Sequence, residues 1–178
     1  MGEPSPPAPV TLVCAILAAD EPVLAEALAA LGREFGPRAA ESPVLPFAFT
    51  RYYEKEMGPR LLRKLVAFER PVDPGRLAAI KLRTNALERE VAARAPAGVP
   101  RPANLDPGTV DAARLVLATT KDHAHRVYLG DGIYGEVTLL WHKGGFAPLD
   151  WTYPDFRTEA YRSFFDGVRR LHAGRPPA

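Results

Sequence analysis

The first strongly patterned part of the chain is an apolar run followed by a helical repeat. Residues 10–18 form a continuous apolar run, which predicts a central strand covered on both faces. Asp20 then stands where a helix N-cap is expected, and Pro22 is tolerated in a first helical turn. Gly36 and Pro37 end the helical pattern. The residues that recur at helical spacing are Leu24, Ala27, Leu28, Leu31 and Phe35.

The middle of the chain predicts two further strands and a second helix. Residues 39–49 have an extended pattern, but Pro43 and Pro46 interrupt it and restrict the segment to an edge strand. Residues 61–69 alternate well enough for a strand. A long helical pattern follows and stops at Pro96. Its apolar stripe consists of Leu77, Ile80, Thr84, Leu87 and Val91.

The segment after this helix predicts a loop and then a strand. Residues 100–108 include the sequence NLDPG, in which Asn104 and Asp106 precede a Pro-Gly pair. These residue types favour a tight turn stabilised by Asx side-chain hydrogen bonds. Residues 114–120 then predict a strand. We therefore expect Asn104 and Asp106 to lie on a loop between the second helix and the sheet.

Residues 125–141 predict a β-hairpin whose turn length follows from the faces that result. A two-residue turn at residues 131–132 would mix apolar and polar side chains on each face. A three-residue loop at residues 130–132 gathers the apolar side chains on one face, so we predict this loop. The apolar face then consists of Val127, Leu129, Ile133, Val137, Leu139 and Trp141.

The order of these elements predicts the fold class. It is β-α-β-β-α-β, then the hairpin, then a last helix after residues 151–155. The first six elements match the split βαβ arrangement of ferredoxin-like folds, in which a mostly antiparallel sheet carries helices on one face. We predict an α+β fold with one domain at residues 10–172 and flexible tails at residues 1–9 and 173–178. The buried stripe of the last helix comprises Tyr161, Phe164, Phe165, Val168 and Leu171.

Composition and charge restrict the partners and the compartment. Apolar residues make up 47% and charged residues 25% of the 178 residues, as is ordinary for a globular protein. The formal net charge of +2, from 23 basic and 21 acidic side chains, gives no electrostatic argument for nucleic acid or an anionic membrane. The single cysteine, Cys14, excludes an internal disulfide and a Cys-based metal cluster. Without a signal sequence or a long apolar run, we expect a cytoplasmic protein that does not span a membrane.

The densest polar stretch follows the strand at residues 114–120. Thr120, Lys121, Asp122, His125 and Arg126 lie between a strand end and the hairpin, where rigid scaffolds often carry binding sites. The cations are suited to bind a phosphate or carboxylate, and the His125 imidazole and the Asp122 carboxylate are suited to acid or base catalysis. A solvated turn capped by the acidic residue is the other interpretation. A His-x-His pair alone does not predict a metal site.

The hairpin register pairs two charged residues and two tyrosines across the strands. It places Arg126 opposite Glu136 and Tyr128 opposite Tyr134. One interpretation is a cross-strand ion pair on a solvent face, which contributes only about 0.3 kcal/mol to stability. The other is that these residues and Thr138 line a cleft in which Glu136 acts as an acid or base.

A second group of candidate ligand-binding residues lies earlier in the chain. Asn104 and Asp106 carry oxygens that can bind a ligand, although stabilisation of the predicted turn explains the same residue types. Lys81 adds a cation within a polar window of the second helix. We include all three as candidate members of a binding site.

The segment at residues 46–58 is rich in aromatic residues. Packing in the core or over a site explains these rings, and no basic groove accompanies them to indicate base stacking. An alternative is that residues 47–57 bind a protein partner. The absence of P-loop, dinucleotide-binding, serine-hydrolase and zinc-protease motifs argues against those classes.

Six short segments distributed over the domain carry a family resemblance. They are PFAFTRYYEKEMG at residues 46–58, IKLRTN at 80–85, NLDPG at 104–108, LATTKD at 117–122, HRVYLGDGIY at 125–134 and WTYPD at 151–155. Together they resemble a bacterial family known as domain of unknown function 4416, over residues 10–171. Members are sometimes labelled GTP-binding protein, so the resemblance implies nucleotide binding.

The residues themselves argue against GTP hydrolysis. GTPases read guanine with a Lys-x-Asp pattern after Asn or Thr, and the sequence TKDH at residues 120–123 misplaces the Asp by one residue. No phosphate-binding loop accompanies it. The leading hypothesis is therefore a domain that binds a small phosphate or carboxylate compound, with an enzymatic role left open and no cofactor identified. A non-enzymatic protein-interaction domain is the competing hypothesis.

Overall fold

The computed structural model describes residues 2–95 and 97–174. In these residues, nine strands form one sheet and four helices accompany it. The strands are β1 Val10–Ala18, β2 Arg38–Glu41, β3 Leu45–Phe47, β4 Leu61–Val72, β5 Ala103–Val110, β6 Arg114–Thr119, β7 Val127–Gly130, β8 Ile133–His142 and β9 Gly145–Pro148. The helices are α1 Glu21–Phe35, α2 Glu54–Met57, α3 Leu77–Arg94 and α4 Glu159–Ala173.

The boundaries of α1 confirm the capping residues predicted for the first helix. The Asp20 side chain accepts a hydrogen bond from the Val23 amide at 2.9 Å, as an N-cap does. The helix ends at Phe35, and Gly36 follows it with a φ of 88°, which glycine adopts without the usual side-chain clash. Local sequence signals therefore place this helix correctly at both ends.

The sheet is antiparallel at every described pairing. Its strands are ordered β2-β4-β1-β5-β6-β8-β7, with β3 paired to β4 and β9 paired to β8. This arrangement confirms the α+β class. It does not confirm a ferredoxin-like order, because the sheet contains strands that the predicted series lacks.

Strand β5 corrects the prediction of a loop at residues 100–108. The segment pairs with β1 along its whole length, including Pro107 opposite Cys14. The Asp111 amide donates to the Arg114 carbonyl of β6. Backbone groups of alternate residues in a strand point to the same side, so the backbone nitrogen of Pro107 also faces β6. Pro107 has no amide hydrogen to donate, and the pairing of β5 with β6 includes only Gly108–Val110. Residue types that usually favour turns therefore lie within a strand here, where Pro107 ends the hydrogen-bonded pairing with β6.

Gly108 marks the point where β5 and β6 separate. A Cβ atom on this residue would lie 2.6 Å from the Val116 carbonyl oxygen and 2.7 Å from a Leu117 side-chain carbon. Only glycine permits this close approach of the two strands. From Pro107 towards the start of β5, the two strands are no longer paired, which leaves a split in the sheet.

Helices cover both faces of the sheet. Helices α1 and α3 pack on one face, with a core that includes Leu12, Ile16 and Leu105. Helix α4 packs on the other face, around Phe156 and Phe165. The expected placement of all helices on one face is therefore wrong. In α4, Tyr161, Phe165 and Val168 are buried as predicted, but Phe164 is only partly buried and Leu171 is exposed.

The hairpin keeps its predicted register, but its turn is shorter than predicted. Tyr128 lies opposite Tyr134, as expected. Gly130 pairs with Ile133, so the turn contains only Asp131 and Gly132, with φ values of 52° and 76°. Two positive φ values are typical of a tight two-residue hairpin turn. An irregularity between Tyr128 and Gly130 takes up the extra residue, which preserves the cross-strand pairs.

The predicted common apolar face of the hairpin is wrong. A register shift in the pairing of β6 with β8 aligns Leu115 with Leu139 and Val116 with Val137. Adjacent strand residues face opposite sides, so Leu139 lies on the α4 face and Val137 on the α3 face. On β7, at the sheet edge, Val127 is 68% exposed.

Two further expectations concern the ends of the chain and the membrane. Residues 2–9 contain no helix or strand, and Met1 and residues 175–178 of the predicted tails lie outside the described residues. Pro96, predicted to stop the second helix, also lies outside them, and α3 ends at Arg94. In the described parts of the chain, no helix is both long and apolar enough to cross a bilayer.

Candidate functional site

A cleft of about 920 Å³ opens in the sheet where β5 and β6 separate. The end of β6 forms one wall and helix α3 forms another. Aromatic residues between Phe47 and Tyr53 and the turn at residues 153–156 complete the walls. Clefts of this size are typical of sites for small molecules. The split in the sheet therefore positions the candidate functional site.

Two side chains of α3 bind the backbone of β5 at the split. Leu105 faces the side from which β6 has turned away, so its amide and carbonyl lack a strand partner there. Lys81 Nζ donates to the Leu105 carbonyl at 2.9 Å, and Glu88 Oε1 accepts from its amide at 2.8 Å. Burial raises the pKa of Glu88, with Lys81 and Arg101 opposing this shift. These bonds satisfy the open edge of the strand and hold α3 over the cleft.

Asp106 is a carboxylate of the cleft with a side chain that is 30% exposed. Lys81 Nζ donates to its Oδ1 at 3.0 Å, and the Asn104 amide donates to its Oδ2. Burial alone would raise the pKa of Asp106, but Lys81 and Arg63 hold it below its usual value. Arg101 donates in turn to Asn104 Oδ1. The interpretation of Asn104 and Asp106 as turn-stabilising residues is therefore wrong, since both lie in a strand and line the cleft.

Arg63 on β4 is a buried cation in the wall of the cleft. Its Nη2 donates to Asp155 Oδ2 at 3.0 Å, and both side chains are almost fully buried. The Phe47 ring lies 4.9 Å from the guanidinium carbon. Burial raises the pKa of Asp155, and the charge of Arg63 opposes the shift. Two nitrogens of Arg63, Nε and Nη1, have no hydrogen-bond partner among the described residues.

Arg126 and Glu136 form a buried ion pair. Arg126 Nε lies 2.7 Å from Glu136 Oε2, and the side chains are 2% and 1% exposed. Arg126 Nη1 donates to the Lys121 carbonyl and Nη2 to the Tyr153 hydroxyl. The solvent-face interpretation of this pair is therefore wrong. All three nitrogens of Arg126 already have partners, so this residue joins the hairpin to the walls of the cleft.

His125 interacts with the same carboxylate but does not line the cleft. Its Nε2 lies 3.2 Å from Glu136 Oε2, and its ring stacks on Trp151 with a centroid distance of 5.3 Å. The Thr138 hydroxyl donates to Glu136 Oε1 at 3.3 Å. Glu136 is therefore bound on both oxygens, which suits it to fix Arg126.

The loop after β6 reaches the aromatic segment across the mouth of the cleft. Lys121 Nζ lies 3.0 Å from the Tyr52 hydroxyl and 4.1 Å from the centre of its ring. Thr120 lines the cleft beside it, whereas Asp122 is exposed and lies outside the lining. The polar stretch predicted from the sequence thus contributes Thr120, Lys121 and Arg126 to the lining of the cleft.

Seven of the eleven predicted site residues line this cleft. They are Lys81, Asn104, Asp106, Thr120, Lys121, Arg126 and Glu136. The other four, Asp122, His125, Tyr128 and Tyr134, do not. Tyr128 and Tyr134 pack against each other at a centroid distance of 5.3 Å, and Tyr128 is 59% exposed. The structure therefore does not bring these two tyrosines into the cleft with the other predicted site residues.

Arg63 and Glu88 are site residues that sequence reasoning missed, although the sequence contains signals for both. Arg63 lies between Leu61 and Leu65, which are buried at alternate positions, so strand periodicity already places Arg63 on a buried face. Glu88 follows Lys81 by two helical turns and shares its face of α3. Asp155, the partner of Arg63, could not be linked to it because 92 residues separate them.

The lining of the cleft carries more cationic than anionic side chains. The cations are Arg63, Lys81, Arg89, Arg101, Lys121 and Arg126. The carboxylates are Glu88, Asp106, Glu136 and Asp155. The excess of positive charge favours an anionic group in the cleft. The described residues contain no group of three or more His, Cys, Asp or Glu side chains that could hold a metal ion.

Comparison with known proteins identifies a family. The model of the family described as domain of unknown function (DUF4416) matches residues 8–172. No curated protein and no solved structure matches the chain. Since the family match covers almost the whole chain, this protein belongs to the DUF4416 family.

Proposed function

We propose that the cleft binds a small compound that carries a phosphate or carboxylate group. The observation that supports this function best is the convergence of six cations and four carboxylates in one cleft of about 920 Å³. Low-dielectric walls strengthen the attraction between such cations and an anionic ligand. The aromatic side chains of Phe49, Tyr52 and Tyr153 add apolar surface for the rest of the compound.

Asp106 is the carboxylate that we propose to contact the ligand, since its side chain is 30% exposed and lines the cleft. Its lowered pKa keeps it ionised near neutral pH, which suits it to accept hydrogen bonds and makes it a weak proton acceptor. The catalytic roles expected for the exposed Asp122 and for His125 have less support, because neither side chain lines the cleft. Glu136 is engaged with Arg126 and Thr138.

The competing hypothesis of a protein-interaction domain rests on the aromatic segment. Phe49 and Tyr52 are 41% and 62% exposed. Both line the cleft, and Tyr52 binds Lys121 across its mouth. This placement supports a role in the ligand site more than a separate docking surface. GTP belongs among the test compounds because of the family label, although the sequence lacks a phosphate-binding loop.

Thermal-shift and calorimetric titrations test the proposed function. The probes are inorganic phosphate, glucose 6-phosphate, citrate and GTP at constant ionic strength. A ligand at about 100 times its Kd stabilises the folded state by about 2.7 kcal/mol, so at least one probe should raise the melting temperature in a saturable way. The bound probe should shift the NMR signals of amides in the cleft, such as Leu105, and leave those of Asp131 and Gly132 unchanged.

Two lysine variants serve as a matched pair in this experiment. Lys121→Ala removes an exposed cation at the mouth and should weaken binding. Lys55→Ala removes an exposed cation outside the lining and should not. The proposal fails if no probe binds saturably, or if the shifted amides lie away from the cleft.

A further inference from the structure

Arg63 differs from the other buried cations of the cleft in its unused donors. Lys81 binds the Leu105 carbonyl and Asp106, and Arg126 has a partner for each of its nitrogens. Arg63 has only Asp155, through Nη2. Its Nε and Nη1 have no hydrogen-bond partner among residues 2–95 and 97–174. The residue is 3% exposed, so bulk water does not fill this deficit.

A second unpartnered group lies beside Arg63. The Tyr161 hydroxyl is buried and has no hydrogen bond of standard geometry within the described part of the chain. Burial raises the pKa of Tyr161 to about 12, while the charge of Arg63 and a weak side-chain contact with its guanidinium oppose the shift. A buried donor without a partner costs free energy, so groups left in this state within a protein require an explanation. An acceptor on a bound ligand is one such explanation, and it fits the position of Arg63 in the wall of the cleft.

The geometry and charge of Arg63 favour an oxyanion as the acceptor. The Phe47 ring covers one face of the guanidinium, which directs further contacts into the plane of the group. In that plane, Asp155 occupies only Nη2. Planar guanidinium groups bind carboxylate and phosphate oxygens through charge-assisted hydrogen bonds, which are stronger than neutral ones.

We propose that Arg63 holds the anionic group of the ligand in the cleft, an inference that rests on the binding function proposed above. Asp155 orients the guanidinium through one nitrogen and leaves the others for a phosphate or carboxylate. The remaining part of the compound then lies towards Asp106 and the aromatic wall. This assignment distinguishes Arg63, as the ligand contact, from Arg126, which is a positioning residue.

Changes at Asp155 and Arg63 test this assignment in opposite directions. Asp155→Asn removes the carboxylate 3.0 Å from Arg63 but keeps an oxygen that accepts its hydrogen bond. The variant should bind inorganic phosphate or citrate more tightly, by about threefold or more, because the competing negative charge is gone. The double variant Arg63→Gln with Asp155→Asn leaves no buried charge unpaired. It should bind about tenfold more weakly than Asp155→Asn alone.

Arg169→Gln is the matched control. Arg169 lies outside the lining of the cleft, where it packs over Trp141 at 3.8 Å. Its replacement should leave the affinity for both probes unchanged. Calorimetric titration at constant ionic strength gives the affinities, and circular dichroism confirms that each variant is folded. If the double variant does not fold, the direction of change in Asp155→Asn still decides.

The outcomes separate this inference from the function on which it rests. If neither the panel of probes nor these two anions bind the wild-type protein, both fail. If a probe binds in the cleft but Asp155→Asn and the double variant keep the wild-type affinity, the role of Arg63 is overturned and the binding function stands. An equal loss of affinity in Arg169→Gln would indicate a general charge effect and would also overturn it.

Discussion

Lys81 and Asp106 bind each other at 3.0 Å although they come from opposite faces of the sheet. Helix α3, which carries Lys81, packs on the face that includes Leu105. Asp106 is the next residue of β5, so its side chain points to the other face. The ammonium group therefore reaches through the split between β5 and β6. This contact joins helix α3 to a side chain on the opposite face of the sheet at the cleft.

The first prediction concerns the stability that Lys81 provides. Lys81→Met removes the donor to the Leu105 carbonyl and leaves the Asp106 carboxylate without its closest cation. We expect a loss of about 3 kcal/mol in the free energy of unfolding, since removing one partner of a buried pair leaves the other uncompensated. Urea denaturation monitored by circular dichroism measures this loss.

The control and the double variant make this prediction sharper. Lys55→Met, at an exposed position, should change the free energy of unfolding by less than about 0.5 kcal/mol. Adding Asp106→Asn to Lys81→Met should recover part of the loss, because the uncompensated charge is then absent. A double variant that loses the full sum of both single changes would contradict direct coupling between the two side chains.

The second prediction concerns pH. The folded-state pKa of Asp106 is lowered, because Lys81 and Arg63 outweigh the effect of burial. A carboxyl group with a lowered pKa stabilises the folded state above its unfolded-state pKa of about 3.9, and this contribution is lost as the pH falls through the folded-state value. The stability difference between wild type and Asp106→Asn should therefore be constant near neutral pH and shrink below about pH 4.

Glu88 supplies the opposite case for comparison. Burial raises its pKa, so its contribution is present at low pH and is lost as the pH rises through the folded-state value. The stability of wild type relative to Glu88→Gln should decline as the pH rises, in contrast to Asp106→Asn. Urea titrations between pH 3 and pH 7, about the range in which carboxyl groups titrate, measure both trends. Slopes of the same sign would contradict the prediction.

The third prediction concerns the point at which the sheet splits. Gly108→Ala places a Cβ atom 2.6 Å from the Val116 carbonyl oxygen, which forces the two strands apart. We expect a loss of about 1–3 kcal/mol, as for other overpacked sites. Gly32→Ala is the control, since its nearest contact is an ordinary 3.6 Å and a helix interior prefers alanine by about 0.5–1 kcal/mol. Equal melting temperatures for Gly108→Ala and wild type would show that the strands do not need to approach this closely.

Local sequence signals predicted the elements of the fold that depend on residues close together in the sequence. The Asp20 cap, the end of α1 at Gly36 and the stripe of α3 depend on contacts within a few residues. Strand β5 was not predictable in the same way. Its Asn, Asp, Pro and Gly residues are typical of a turn, and only pairing with β1, about 90 residues earlier, makes the segment a strand.

The candidate site shows the same difference between local and long-range determinants. The sequence predicted that Lys121, Arg126 and Glu136 lie together, because the hairpin register is local. It also identified Asp106 and Lys81, but not that they would meet the hairpin residues in one cleft. The split that forms this cleft arises from Pro107 and from the close approach at Gly108, both of which depend on a distant strand.

The last prediction concerns Arg126, whose buried pair with Glu136 was open to interpretation as a surface contact. Arg126→Met would leave the Glu136 side chain, at 1% exposure, without its arginine partner and would release the Lys121 carbonyl and the Tyr153 hydroxyl. We expect a loss of about 3–5 kcal/mol in the free energy of unfolding. Arg33→Met removes the partner of Glu26 at an exposed position and should cost less than about 1 kcal/mol. Chemical denaturation of the two variants compares these costs directly. Similar small losses in both would mean that the Arg126 pair is solvated, and the cleft would then lose the wall that this arginine holds in place.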